Sequence, residues 1–233
     1  MSASLVGSEM CIRDRIKGEK MNENNVNTDL YPKMFTWLFI GLLVTFATGY
    51  ALTTNIDMML NVLSIGVLPI AIAEIVIAII LGVRLEKMNP ITTKILYIGY
   101  AILTGLTFST IFIYFEMASL ISIFIITAVI FGLLAFYGYV TKKDLTKLGT
   151  IIFIGLIGIV IGELLNWLIF KNATLDLGIT IIGVLIFVGY IAYDVNRIKY
   201  MVGYIGEEKA AVYGAFQLYL DFINLFIRLL PVS

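Results

Sequence analysis

The chain has 233 residues, 60% of them hydrophobic and 14% charged, with 16 basic side chains against 16 acidic and a mean hydropathy of +0.99. That apolar excess is more than a soluble domain of this length can hide, so an aqueous globular fold is excluded and a membrane protein is expected. No histidine is present and Cys11 is the only cysteine, which removes the usual ligands of zinc and haem, disulfides, and thiolate chemistry together.

Residues 1–20 stand apart from the rest. Leu5–Asp14, LVGSEMCIRD, back-translates without strain to CTC GTG GGC TCG GAG ATG TGT ATA AGA GAC, which resembles an adapter used in sequencing libraries. Lys17–Lys20, KGEK, reads as a purine-rich ribosome-binding site ahead of the ATG of Met21. The expectation is a non-native leader over 1–20, a natural start at Met21, a short cytoplasmic N-terminus over 21–33, and one membrane domain over 34–230. Without the leader the balance is 12 basic residues against 13 acidic, and no cysteine is left.

A hydrocarbon core of about 30 Å calls for about 20 mostly apolar residues per helix. Seven segments meet that length: 34–53, 60–83, 95–115, 118–140, 148–170, 177–195 and 210–230. Their connections are short and no internal repeat is evident, so an all-α bundle of seven transmembrane helices is predicted. Gly158 and Gly162 make a GxxxG step in the fifth segment, a pattern that serves close helix packing. Trp37 and Trp167 fit the interfacial belt or the core.

Orientation follows from the basic residues. Lys33, Arg84, Lys87, Lys94, Lys142, Lys143, Lys147, Arg197, Lys199 and Lys209 fall before the first segment or in alternate loops, whereas Lys171 and Arg228 alone fall on the other side. Positive charge stays in the cytoplasm, so the N-terminus is expected inside and the C-terminus outside.

Four acids interrupt the apolar segments: Glu74 in the second, Glu163 in the fifth, Asp194 near the inner end of the sixth, and Asp221 midway along the seventh. Each ionised side chain at the bilayer centre costs about 2.5–3.5 kcal/mol, so they must face inward and be paired, protonated or hydrated. In the last segment Gln217, Asp221, Asn224 and Arg228 follow at steps of four, three and four, which places them on one helical face. Such a stripe suits a helix buried in the bundle and lining a narrow polar path. Interhelical hydrogen bonding is the alternative use for Gln217 and Asn224.

The string LYLDFINLF at 218–226, AYD at 192–194 followed by Asn196 and Arg197, Glu74 ten residues before Arg84, and GLTFSTIF at 105–112 resemble the transmembrane BAX inhibitor motif family. The resemblance runs from about Tyr31 to Leu230, and LYLDFINLF is its most specific part. It implies a seven-helix fold with the last helix surrounded by the other six. It also implies a pH-dependent calcium leak, in which Asp194 and Asp221 act as a sensing pair and Arg84 latches them. Glu74 belongs to the family pattern as a pore-lining candidate, whereas Glu163, with Asn166 three residues on, matches no family motif.

Chemistry makes that implication reasonable. Two carboxylates in a low-dielectric site resist double ionisation, so the pair shares a proton at low pH and loses it as pH rises. Arg84 or a cation must then compensate, and calcium prefers oxygen ligands. Asp194 and Asp221 alone would bind it weakly, which suits conduction. Helix rise leaves the two aspartates several ångströms apart in depth, a gap that closes only if the last helix starts after Ala210 or through tilt and an inner vestibule.

Partners expected on this reading are the lipid bilayer, calcium ions and protons, with no nucleic acid, no cofactor and no enzymatic activity, in a bacterial cytoplasmic membrane. A non-conducting regulator that binds a quality-control protease or a stress or cell-death partner is the alternative. An intramembrane aspartyl protease is a weaker one, because Asp221 follows LYL rather than Gly-x-Gly and no Pro-Ala-Leu occurs near the C-terminus.

Overall fold

A computed structural model of the protein describes residues 29–141, 143 and 145–230. The leader, the start at Met21, Cys11 and Lys142 lie outside the described residues. Those residues form helices joined by short turns, with no strand among them: α1 (Asp29–Thr53), α2 (Ile56–Ile65), α3 (Val67–Arg84), α4 (Pro90–Tyr114), α5 (Met117–Val140), α6 (Thr146–Leu165), α7 (Ala173–Ile205) and α8 (Glu207–Leu229). A 3-10 turn at Leu85–Lys87 and a π-turn at Asn166–Phe170 complete the order.

Six of these elements are long and apolar enough to cross a membrane: α1, α4, α5, α6 with its π-turn, α7 and α8. The single helix expected over 60–83 is instead two, broken at Gly66, whose φ of 83° is a conformation that disfavours any side chain. Pro69 follows three residues later, in the first turn of α3, where a missing N–H costs least.

Other boundaries moved because of local caps that hydropathy does not register. α4 begins at Pro90 rather than 95, since Asn89 accepts a hydrogen bond from the Thr92 N–H at 2.7 Å and Pro90 occupies the first turn. α7 begins at Ala173 because the Asn172 side chain accepts from the N–H groups of Thr174 and Leu175. The Asn166 side chain holds the same reversal by exchanging hydrogen bonds with the Asn172 backbone. At its other end α7 continues ten residues past the expected stop at 195, so Arg197 and Lys199 are helical.

α8 sits at the centre: 72% of its most apolar stretch is buried, against 17–33% in the other five spans. Its first half is lined with small residues, Ala210, Ala211, Gly214 and Ala215, which admit neighbouring helices closely. Ile198 and Met34 fill the space over Gly214. Toward α1, α4 and α5 the helix is aromatic. Phe216 meets Tyr97 and Tyr100, Phe222 meets Phe124 and Phe131, and Phe226 stacks on Phe108. In lipid, apolar area alone drives little association, so aromatic pairs worth about 0.5–1.5 kcal/mol each, together with close packing, carry the helix contacts. Large side chains such as Ile125, Leu133, Phe136 and Leu185 point outward, as a lipid-facing surface requires.

Close packing does not use the GxxxG step as expected. Gly158 is exposed with nothing near it, and only Gly162 approaches a partner, Ile179. α7 lies against α6 chiefly through Tyr193 over Gly149 and Ile186 over Gly155, and against α5 through Gly138, which faces the Ala192 backbone. Trp167 is exposed beside the α6–α7 turn, while Trp37 packs against Tyr97 with Lys94 over its ring.

Gly206, φ 80° and ψ 156°, is the only residue between α7 and α8. It folds them into a tight antiparallel pair. At the same end Lys33 pairs with Glu207 and Lys94 with Glu208, tying α1 and α4 to the start of α8.

Candidate functional site

The polar stripe of α8 faces away from its aromatic contacts. α6 packs on α7 rather than on α8, which leaves a gap between α6 and α8 with α7 as its back wall. A cavity of about 580 Å³ fills the gap, lined by Thr150 and Phe153 from α6, Tyr190, Asp194 and Arg197 from α7, and Gln217, Asp221 and Asn224 from α8, among others.

Asp194 and Asp221 meet there. Both are buried, 9% and 4% exposed, and their carboxyl groups lie within hydrogen-bonding reach of each other. The second carboxyl oxygen of Asp221 has no hydrogen-bond partner. A hydrogen bond between two carboxyl groups requires that one of them hold a proton. The depth gap expected from the sequence closes in a different way from the one anticipated. α8 starts at Glu207, before Ala210, and it is the extension of α7 to Ile205 that brings the two level.

Arg197, one turn beyond Asp194, is the cation whose charge bears on that carboxyl. It is exposed at the cavity mouth, with its guanidinium 5.8 Å from the Tyr193 ring centre. Arg84 is exposed at the end of α3 and is not part of the cavity wall. It immediately precedes the Leu85–Lys87 turn, which packs against α7.

The other polar residues divide into two groups. Gln217 and Asn224 line the cavity, and Asn224 also donates to the Leu220 carbonyl of its own helix. Arg228, one turn further on, forms an ion pair with Glu163 of α6 at 2.6 Å. Glu74, by contrast, is not in the cavity wall. It faces Thr104 of α4 and lies near Tyr100 and Tyr219, where the Tyr219 hydroxyl also bonds Thr45. Tyr219 and Asp221 project in nearly opposite directions from α8, so Glu74 and the aspartates occupy different sides of the central helix.

For a metal, the described residues hold no group of three or more acidic, histidine or cysteine side chains. A calcium ion between Asp194 and Asp221 would therefore need Gln217, Asn224 or water oxygens to complete its shell.

The sequence reading missed several cavity residues. Tyr190 and Tyr193 have no role in the sequence pattern, and Arg197 falls in a loop when the helix is ended at 195. The three-residue spacing from Asp194 to Arg197 was the available signal. Gly183, which leaves room for the Arg228 guanidinium, carried no signal at all.

A family model described as inhibitor of apoptosis-promoting Bax1 matches residues 28–232. The inner membrane protein YbhL of Escherichia coli K12 is 40% identical over 212 residues, covering 86% of this chain and 88% of its own. A protein of Deinococcus radiodurans is 35% identical over 205 residues, 86% and 88% of the two chains. One of Borreliella burgdorferi is 34% identical over 219 residues, 91% and 94%.

Proposed function

The chain belongs to the Bax1-I family of membrane proteins, and from that premise we propose that it is a pH-sensitive calcium leak channel of a bacterial cytoplasmic membrane. The observation that carries this reading is the buried Asp194–Asp221 pair on the wall of a cavity large enough for water and ions. Carboxyl groups are costly inside a membrane, and a pair placed beside a cavity has an evident use as a proton-controlled cation site.

At low pH the two carboxyl groups share a proton, the pair is satisfied without a counter-ion, and the path is closed. As pH rises the shared proton leaves and the two negative charges repel. A cation then compensates: calcium arriving through the cavity, or a basic side chain. Arg197 supplies a standing positive charge at the mouth. Arg84, at the end of α3 just before the turn that touches α7, serves as the latch that holds the closed state. Binding at two carboxylates stays weak, so an ion that enters also leaves.

Topology completes the proposal. α3 spans 18 residues, about 27 Å at 1.5 Å per residue, and serves as a short seventh crossing with α2 as its lead-in. The end carrying Lys33, Lys94 and Arg197 faces the cytoplasm, so the N-terminus is inside and the C-terminus outside. Residues 34–230 act as one membrane domain.

The test is calcium flux into proteoliposomes across pH. Flux that increases with pH supports the reading. Vesicles as tight with the protein as without it, at every pH, would exclude conduction and favour a non-conducting membrane regulator.

A further inference from the structure

Two polar cavities lie on either side of the Glu163–Arg228 ion pair. The first is the aspartate cavity, whose wall includes Asn224, one turn before Arg228, and Phe187, whose ring lies 5.5 Å from the Arg228 guanidinium. The second, about 490 Å³, sits beside the α6–α7 turn and is lined by Glu163, Asn166, Asn172 and Asp176, among others. Glu163 thus faces the outer cavity and Arg228 adjoins the inner one. Their contact bridges the gap between α6 and α8.

The site is built for the guanidinium. Gly183 on α7 has no side chain where a Cβ would sit 2.5 Å from the guanidinium carbon, and Phe187 offers its ring face one turn along. The Arg228 side chain is 13% exposed, and its Nε has no hydrogen-bond partner. A buried cation on a cation path is a barrier unless something neutralises it, and Glu163 is the group that does so.

We propose that Glu163 and Arg228 form the outer barrier and charge filter of the path. Paired, they close the gap and present no net charge. With Glu163 neutralised, a lone guanidinium repels cations; with Arg228 neutralised, a lone carboxylate admits them. This rests on the channel reading for its calcium consequence, but the filter itself is a property of the gap and is measurable without conduction.

The experiment compares Glu163→Gln, Arg228→Gln and the double variant in a Cys11→Ser background, with Asn224→Cys as a reporter in the inner cavity. Labelling of the introduced thiol in proteoliposomes is timed with a cationic and an anionic methanethiosulfonate, and calcium flux is measured in the same variants without the reporter. Glu163→Gln is expected to slow the cationic reagent relative to the anionic one about tenfold and to lower flux. Arg228→Gln is expected to reverse both changes, and the double variant to lie between them. A simple structural staple would move both single variants in the same direction, and that result would overturn the proposal. If the unmodified protein carries no calcium, the channel reading falls while the reagent ratios still decide the filter.

Discussion

Asp194 and Asp221 lie at nearly equal distances from the turn that joins their helices. Asp194 is twelve residues before Gly206 and Asp221 fifteen after it, about 18 Å and about 22 Å of helix. Two adjacent antiparallel helices therefore carry the carboxyl groups to one level, and the register of that meeting is set by a single residue.

Gly206 is accordingly a position where a methyl group should be felt at a distance. Its φ of 80° with ψ of 156° falls in a region open essentially to glycine alone, and strain there costs about 1–3 kcal/mol. Gly206→Ala is expected to lower the melting temperature in detergent and to blunt the pH response of flux together. A variant with unchanged melting and unchanged pH response would show that the turn does not set the register.

A second glycine tests the packing of α5 on α7. A Cβ at Gly138 would stand 3.0 Å from the Ala192 Cα and carbonyl carbon, which are backbone and cannot swing aside. The same contact places Asn196, whose side chain donates to the carbonyls of Gly138 and Thr141 and so caps the end of α5. Gly138→Ala is expected to destabilise the fold by about 1–3 kcal/mol, read as a lower thermal midpoint. Gly158→Ala, with nothing within 4 Å, is expected to leave the midpoint unchanged.

The ion pairs at the start of α8 should matter much less. Lys94 and Glu208 are 29% and 59% exposed at their side chains, and pairs of that kind contribute about 0–1 kcal/mol. Glu208→Gln is expected to shift the thermal midpoint by no more than a degree or two, with the small effect fading further in high salt. A large loss of stability would show that this end of the bundle depends on charge rather than on the small-residue packing around Gly214.

The membrane class, the polar face of α8 and that helix's central position were all legible in the chain, because residue spacing on a helix decides which side chains share a face. Gln217, Asp221, Asn224 and Arg228 needed only the 3.6-residue period, and the family followed from LYLDFINLF. Hydropathy merged α2 and α3 because it registers how greasy a stretch is and not the backbone turn at Gly66. It likewise ended α7 at the first polar residues, Asp194 to Arg197, although a helix leaving the membrane continues happily in water. Glu163 gave the least warning. Its partner lies 65 positions away on a helix that α6 does not pack against, so no local pattern could have joined the two.

Arg84 offers a test of the latch. It sits outside the cavity wall, ahead of a turn that touches α7, so its removal should leave the cavity intact while weakening the hold on the closed state. Arg84→Ala is expected to raise calcium flux several-fold at low pH with little change at high pH. Flux that matches the unmodified protein at both extremes would leave Arg197 as the cation that serves the pair.

Calcium flux into proteoliposomes as a function of pH, with Asp194→Asn and Asp221→Asn beside the unmodified protein, goes most directly to the aspartate pair. Flux that climbs with pH in the unmodified protein and becomes independent of pH in either variant is the predicted result. A pH profile that survives both substitutions unchanged would contradict it, and would leave the two buried acids as packing rather than sensor.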